Sequence, residues 1–461
     1  MSRDATSPLS SSLERRLGPL DAAAIIVSNV IGGGILFTPP QVAAAVPHPL
    51  WFLAVWFAGG GLAFAGAMAY AELAALRPRA GGEYVYLNAA FGRLAAFLTG
   101  WTSLIAGFTG AIAASAIVLT FYLGRFFPGA ADSTPFFVVP LLSIRLTVSR
   151  QTLVALSAIA LLAWIHVRGV GPGRIVGNVL AVLKVSALLM FIALGFSIGS
   201  GSMANLRASA GPVAPTSWLL ALIPVMFTYS GWNAAGYIAE ELREPGRNVP
   251  RAFAFGTAAV IAIYLSLNAL YLYVLPVDAL ARVQGSVLDV IADRLLGARA
   301  GNIMGVVSII SLTATISAMT FAGPRVYYAM ARDGLFFPAA ARVHPYYRTP
   351  AAAIVAQSIW SGLLVLSGGA SALTLYTGFA VVLFSGVAVA ALFVLRFREP
   401  SAPRPFRAVG YPVAPAIFIL ASLAIVVNAV YSDPGPTGAG LGVIAAGVPL
   451  YVWLTRRQRL F

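Results

Sequence analysis

Cysteine is absent from all 461 residues, and lysine occurs once. The first absence removes disulfides, thiolate metal sites and any cysteine-linked partner subunit, while leaving the redox compartment open. Histidine is almost as scarce. His48, His166 and His344 fall in or near loops and far apart in sequence, which argues against a metal cluster or a histidine-based catalytic triad. No nucleophile with its base and no phosphate loop is present, so an enzyme is the least favoured class and no cofactor is expected. Charged residues make up only 10% of the chain, and no polar region is long enough to form a separate soluble domain.

What fills the chain is apolar: 59% hydrophobic residues and a mean hydropathy of +0.86. Length on the usual prior of ~150 residues per domain would give about three soluble domains, but this composition makes the bilayer the solvent. A spanning helix needs roughly 20 mainly apolar residues. Such stretches recur as twelve spans: Leu20 to Val46, Leu50 to Leu76, Leu94 to Phe127, Thr152 to Val167, Ile175 to Ile198, Trp218 to Glu240, Ala252 to Leu275, Asn302 to Met330, Ala351 to Leu366, Leu373 to Leu395, Val413 to Val430 and Leu441 to Leu454. The expectation is an all-α membrane protein with a single membrane domain over residues 20–455, an N-terminal tail over 1–19 and a C-terminal tail over 456–461. The first apolar segment follows Arg15 and Arg16 and is too long for a signal-peptide core, so it is expected to stay in the protein. Two connections, Gly81 to Phe91 and Asp278 to Arg299, read as short amphipathic helices outside the core.

The formal charge of +15 would suggest nucleic acid in a soluble protein. Here the positive residues lie in short loops. Alternating the loops between two sides puts 22 arginines on the N-terminal side and 7 on the other, the positive-inside pattern. Both termini are therefore expected in the cytoplasm, with Arg456, Arg457 and Arg459 closing the chain there. The basicity is topological, and membrane lipid rather than nucleic acid is the expected surrounding.

Two spans are interrupted. The first contains Asn29-Val30-Ile31-Gly32-Gly33-Gly34-Ile35 and then Thr38-Pro39-Pro40; the sixth contains Phe227-Thr228-Tyr229-Ser230-Gly231-Trp232-Asn233. Small residues in membrane helices often serve close packing, and that is the better reading of Gly59-Gly60-Gly61 in span two. In span one the polar Asn29, the prolines and the counterpart in span six favour an unwound segment, which is tolerated at membrane depth only where it lines a cavity or is covered by protein. Breaks at matching places in two successive groups of five helices suggest an inverted repeat with a site between its halves.

A half-helix restarting after Gly34 would offer unpaired N–H groups and a partial positive charge, which suit a carboxylate. The half-helices ending before the breaks would offer carbonyls, which suit an ammonium group. An α-amino acid carries both groups one carbon apart. No Asp or Glu falls at mid-depth in any span, which favours neutral over cationic amino acids.

The single lysine, Lys184, lies near the middle of span five, beyond easy reach of the interface by snorkelling. An ionisable residue at that depth points to function. Two roles remain open for it: a cation able to give up its proton, as arginine cannot, or a fixed positive charge standing where a sodium ion would sit.

Five ordered motifs resemble the amino acid/polyamine/organocation superfamily, and within it the bacterial relatives of the L-type amino acid transporters. They are Val30 to Ile35 with Thr38-Pro39; Ala80-Gly81-Gly82-Glu83-Tyr84-Val85-Tyr86 with Phe91-Gly92; Phe227 to Trp232 with Glu240-Glu241 and Pro250-Arg251-Ala252; Gly323-Pro324-Arg325 through Arg332-Asp333-Gly334; and Arg404-Pro405-Phe406-Arg407 with Gly410-Tyr411-Pro412. The resemblance implies a LeuT-type fold: inverted five-helix repeats over about 20–199 and 216–395, two extra helices over about 413–455, and alternating access. It implies a substrate site formed by Ile31, Gly32, Gly33, Gly34 and Ile35 with Phe227, Thr228, Tyr229, Ser230 and Gly231, Phe227 acting as a gate. It further implies that Lys184 replaces sodium and touches span one and a small hydroxyl residue of span eight, for which Ser311 is the candidate. The relatives commonly have Gly-Ser-Gly where this chain has Gly32-Gly33-Gly34, so one hydroxyl donor is missing. Arg243, Arg247, Arg332 and Asp333 form either a gate network or solvated helix ends.

The leading expectation is a sodium-independent amino acid exchanger or proton-linked permease for neutral substrates. Its rivals are a permease for cationic amino acids or polyamines, a channel, and a non-transporting nutrient sensor. Mid-span polarity is concentrated rather than spread along a pore, and the short termini leave no output domain, which disfavours the last two.

Overall fold

The computed structural model describes residues 13–458 apart from 142–143, 199–200, 298–299, 369 and 433. The rest of the tails, including Arg459, lies outside the described residues. Among the described residues, ten helices are long and apolar enough to cross a membrane, and two shorter apolar helices, Pro215–Thr228 and Ala351–Ser367, stand where spans six and nine were expected.

The chain is not wholly helical. Pro135–Leu141 and Ile144–Ser149 pair as an antiparallel hairpin, from Pro135 opposite Ser149 to Leu141 opposite Ile144. Phe136, Phe137, Val138, Val139 and the alternating Ile144, Leu146 and Val148 are β-formers, and the stretch is too short to span as a helix. That corrects the all-α expectation for the connection between spans three and four.

Both expected surface helices are packed into the protein instead. Glu83–Phe91 buries Glu83, Tyr84, Val85, Tyr86, Leu87 and Ala90. The second connection forms two helices, Val277–Ala281 and Val287–Leu296, separated by a turn in which Gly285 has φ +80°. Its apolar stripe of Val287, Leu288, Ile291 and Ala292 belongs to the main core. The stripe was legible, but its burial depends on neighbours distant in sequence.

Helix Pro49–Leu76 runs unbroken through its triple glycine, packed on Pro245–Val274 and Pro215–Thr228. A Cβ on Gly59 would lie 2.5 Å from Val225 and one on Gly60 3.0 Å from Ile261 and the Tyr229 hydroxyl. These glycines let helices approach, as small residues do in membrane bundles.

The first apolar segment starts with Pro19 after Gly18, whose N–H donates to the Asp21 carboxylate (2.7 Å). It stops as Pro19–Val30 and resumes as Gly34–Phe37 and Pro39–Ala45. In the sixth, Pro215–Thr228 ends in a turn and the chain resumes as Ala234–Tyr237. Gly231 there has φ +103°, and a Cβ on it would lie 3.1 Å from the Asn29 backbone. The two breaks therefore meet.

Candidate substrate site

The carbonyls exposed by the first break have protein partners. Lys184 is fully buried on helix Val170–Ile198 and donates to the carbonyls of Ser28 (3.1 Å) and Ile31 (2.5 Å). The Thr315 hydroxyl, from helix Ala300–Ala322, lies 3.0 Å from the Ser28 carbonyl and 3.3 Å from that of Ile31, and accepts from Lys184 at 3.5 Å. Ser311 donates to the Ile31 carbonyl at 3.2 Å. Ser311 thus shares a carbonyl with Lys184, but Thr315, one helical turn on, is the hydroxyl within reach of the ammonium. The arrangement resembles the oxygen cage of a bound monovalent cation, with Nζ as the charge.

Tyr264, one of 17 tyrosines, was not singled out in sequence and serves both breaks. Its hydroxyl lies 2.9 Å from the Val30 carbonyl and 3.3 Å from that of Thr228, the last residues of the two half-helices. Buried helix ends need such partners. Thr228 donates to Thr38 across the gap (2.9 Å). A Cβ on Gly34 would meet the Thr228 side chain at 2.9 Å and its Cα at 3.1 Å, so glycine at 34 is what permits this approach. A Cβ on Gly33 would meet nothing closer than the Phe37 ring, in ordinary van der Waals contact at 3.9 Å. The N–H groups of Gly32 and Gly33 donate to no protein acceptor among the described residues.

Phe227, Ser230 and Gly231 line a cavity together with Asn29, Thr99, Thr102, Phe108, Asn233, Tyr237 and Glu83. Ile31, Gly32 and Ile35 line a smaller pocket beside Ser311, Leu267 and Tyr271. Tyr229 is buried and donates to the Trp56 carbonyl at 3.2 Å. The structure thus brings the two breaks to one junction, with Phe227, Ser230 and Gly231 on one cavity and Ile31, Gly32 and Ile35 on the other, while Gly33, Gly34, Thr228 and Tyr229 line neither. Asn29 bridges the halves, donating to the Gly231 carbonyl at 3.4 Å.

Glu83 was missed as a site residue. It sits on a short helix between spans, where composition gives no hint of depth, yet its Oε1 accepts from Tyr70 (2.7 Å) and Asn233 (2.6 Å).

The arginine-rich loops join into one closed face. Leu17 pairs with Leu242 through backbone hydrogen bonds to Glu241 and Arg243, both 3.0 Å. Arg325 and Glu241 form a fully buried ion pair at 2.7 Å, and Glu72 takes Arg396 and Arg404. Arg332 pairs with Glu240 and Arg79 with Asp333. Arg332 and Asp333 are therefore part of a network across that face, whereas among the described residues Arg247 pairs only with the exposed Glu244, and Arg243 joins through its backbone.

The amino acid permease family matches residues 17–454. The chain belongs to that family. It is similar to the large neutral amino acids transporter small subunit 2 of human, 30% identical with 95% of this chain and 80% of the relative covered. It is also similar to the Asc-type amino acid transporter 1 of mouse, at 28% over 95% of this chain and 81% of the relative. The b(0,+)-type amino acid transporter 1 of rat is 31% identical over 93% of this chain and 85% of the relative. This permease is an amino acid transporter of the membrane, and not an enzyme.

Proposed function

We propose that this permease is a secondary active transporter that moves neutral L-amino acids across the cytoplasmic membrane by alternating access, without sodium, as an exchanger or coupled to protons. The twelve spans form two inverted five-helix repeats and two extra helices, with both termini in the cytoplasm. The observation that carries the reading is the Lys184 ammonium seated on the carbonyls of Ser28 and Ile31 where the first helix breaks. The position is filled by a covalently held cation, so no sodium ion is needed to hold the break open. The free N–H groups of Gly32 and Gly33 are the donors for a substrate carboxylate, with Gly34 and Ile35 shaping the restart. Phe227, Ser230 and Gly231 form the opposing wall, Thr228 and Tyr229 complete the break that carries it, and Phe227, 44% exposed, is the movable cover. The name of one relative, a large neutral amino acids transporter, supports amino acids of this class, and that of another, an Asc-type amino acid transporter, supports amino acids generally.

Labelled amino acid uptake into proteoliposomes tests it, with empty, amino-acid-loaded and acid-outside vesicles run together. Stimulation by internal amino acid alone marks an exchanger, stimulation by a proton gradient marks a symporter, and no uptake of any amino acid overturns the proposal.

A further inference from the structure

Glu83 is an acid without a counter-charge. It is 8% exposed, and among the described residues no arginine or lysine lies within 4.0 Å of it, whereas the other buried acids, Glu72 and Glu241, are both ion-paired. The groups facing it are neutral: Tyr70 from helix Pro49–Leu76, Asn233 and Tyr237 from the broken sixth span, Tyr86 from its own helix and Ser385 from helix Ala370–Arg398. Asn233 spends both its N–H bonds in holding this cluster, on Glu83 (2.6 Å) and on the Tyr237 hydroxyl (2.9 Å). The carboxyl lines the same cavity as Phe227, Ser230 and Gly231.

A buried carboxylate with no cation costs several kcal/mol, so this one must be completed by a positive charge from the cavity. We propose that the Glu83 carboxyl is a single-cation subsite at one end of the substrate cavity, taken by the side-chain nitrogen of a basic amino acid or, beside a neutral amino acid, by a proton. This deepens the transport reading and rests on it. Counted from the empty cavity with Glu83 ionised, either substrate brings one positive charge, a proton beside a neutral zwitterion or the side-chain ammonium of a lysine-like one. Counted from the protonated site, a neutral substrate adds none and a lysine-like one releases the proton as it binds. Burial pushes the Glu83 carboxyl above the usual carboxylate range, against the pull of the hydrogen bonds from Tyr70 and Asn233. Below the shifted value the site holds its proton and a basic side chain is excluded. As pH rises through it the charge appears and the basic substrate gains.

Wild-type permease in proteoliposomes is assayed for L-leucine uptake with L-lysine as competitor at mildly acid and mildly alkaline pH, and the same is done with Glu83→Gln. The expected result is competition by lysine that strengthens about tenfold from acid to alkaline pH in the wild type, and that in the variant, measured against the variant's own leucine uptake, falls about tenfold or more and loses its pH dependence. Lysine competing equally at both pH values, or equally against the variant, overturns the subsite. Should the variant not fold, the wild-type pH dependence alone decides. Should the wild type take up no leucine, the transport reading fails by itself, and the subsite is judged by whether lysine raises the thermal unfolding midpoint of the purified wild type more at alkaline than at acid pH.

Discussion

Two charged side chains are buried beside the broken helices, and they are satisfied by different means. Lys184 is held by backbone: the carbonyls of Ser28 and Ile31, with Thr315 alongside. Glu83 is held by side chains, Tyr70 and Asn233, and the rest of its carboxyl faces a cavity. The cation is part of the geometry of the break, since those carbonyls have lost their helical N–H partners. The acid is part of a surface that a solute meets. One charge is built in, and the other waits for its complement.

The largest effect should come from breaking the first arrangement. Lys184→Met takes the charged donor from two buried carbonyls and leaves them only the hydroxyls of Thr315 and Ser311, at about 1.5–3 kcal/mol for each charged hydrogen bond lost. Uptake should fall at least ~100-fold, with a lowered unfolding midpoint. Lys184→Arg should not rescue it, because a planar guanidinium cannot take the place of a compact ammonium in a fully buried site. Wild-type uptake in the arginine variant would mean that charge alone, and not the cage, is what the break needs.

Tyr264→Phe tests whether the break also depends on neutral donors. Its hydroxyl is shared by the carbonyls of Val30 and Thr228, so the loss should cost about 1–2 kcal/mol and lower uptake roughly tenfold. A change confined to thermal stability would make Tyr264 a packing residue only.

Thr315 and Ser311 sharpen the comparison on the Lys184 side. Thr315→Val removes a hydroxyl that touches Nζ and both carbonyls, while Ser311→Ala removes one that reaches Ile31 alone. Uptake should fall about tenfold in the first and about twofold in the second. The reverse ranking would restore Ser311 as the principal hydroxyl.

The difference between the two charges also governs what the sequence could disclose. Lys184 stood out because the chain otherwise uses 29 arginines, and the first break because glycine, proline and a polar Asn29 coincide in one apolar run. Both signals are local. Glu83 carries no such mark: Gly81 to Phe91 reads as a short amphipathic helix outside the core, and the burial of Glu83 comes from Tyr70 and from Asn233, 150 positions away. Ser311 and Thr315 sit one turn apart on one helix face, so periodicity could not decide which of them meets the lysine. The hairpin at 135–149 is not marked by length or hydropathy, because its two strands, of seven and six residues, lie in a connection too short to span as a helix.

The smallest effect is expected at Gly33, where the chain lacks the hydroxyl its relatives commonly carry. Gly33 has an ordinary helical φ of −63°, and an added Cβ finds nothing nearer than the Phe37 ring at 3.9 Å. Gly33→Ser is therefore sterically free, unlike any substitution at Gly34, where a Cβ would strike Thr228. A serine hydroxyl at 33 would add one donor beside the free N–H groups of Gly32 and Gly33, worth about 0.5–1.5 kcal/mol to a bound carboxylate. The expected outcome is an unchanged unfolding midpoint and a KM for leucine lowered about threefold, with the lysine-to-leucine preference unmoved because the carboxylate end alone is affected. If Gly33→Ser shifted that preference instead, the two ends of the substrate would not be read separately, and the division between a built-in cation and an open acid would fail.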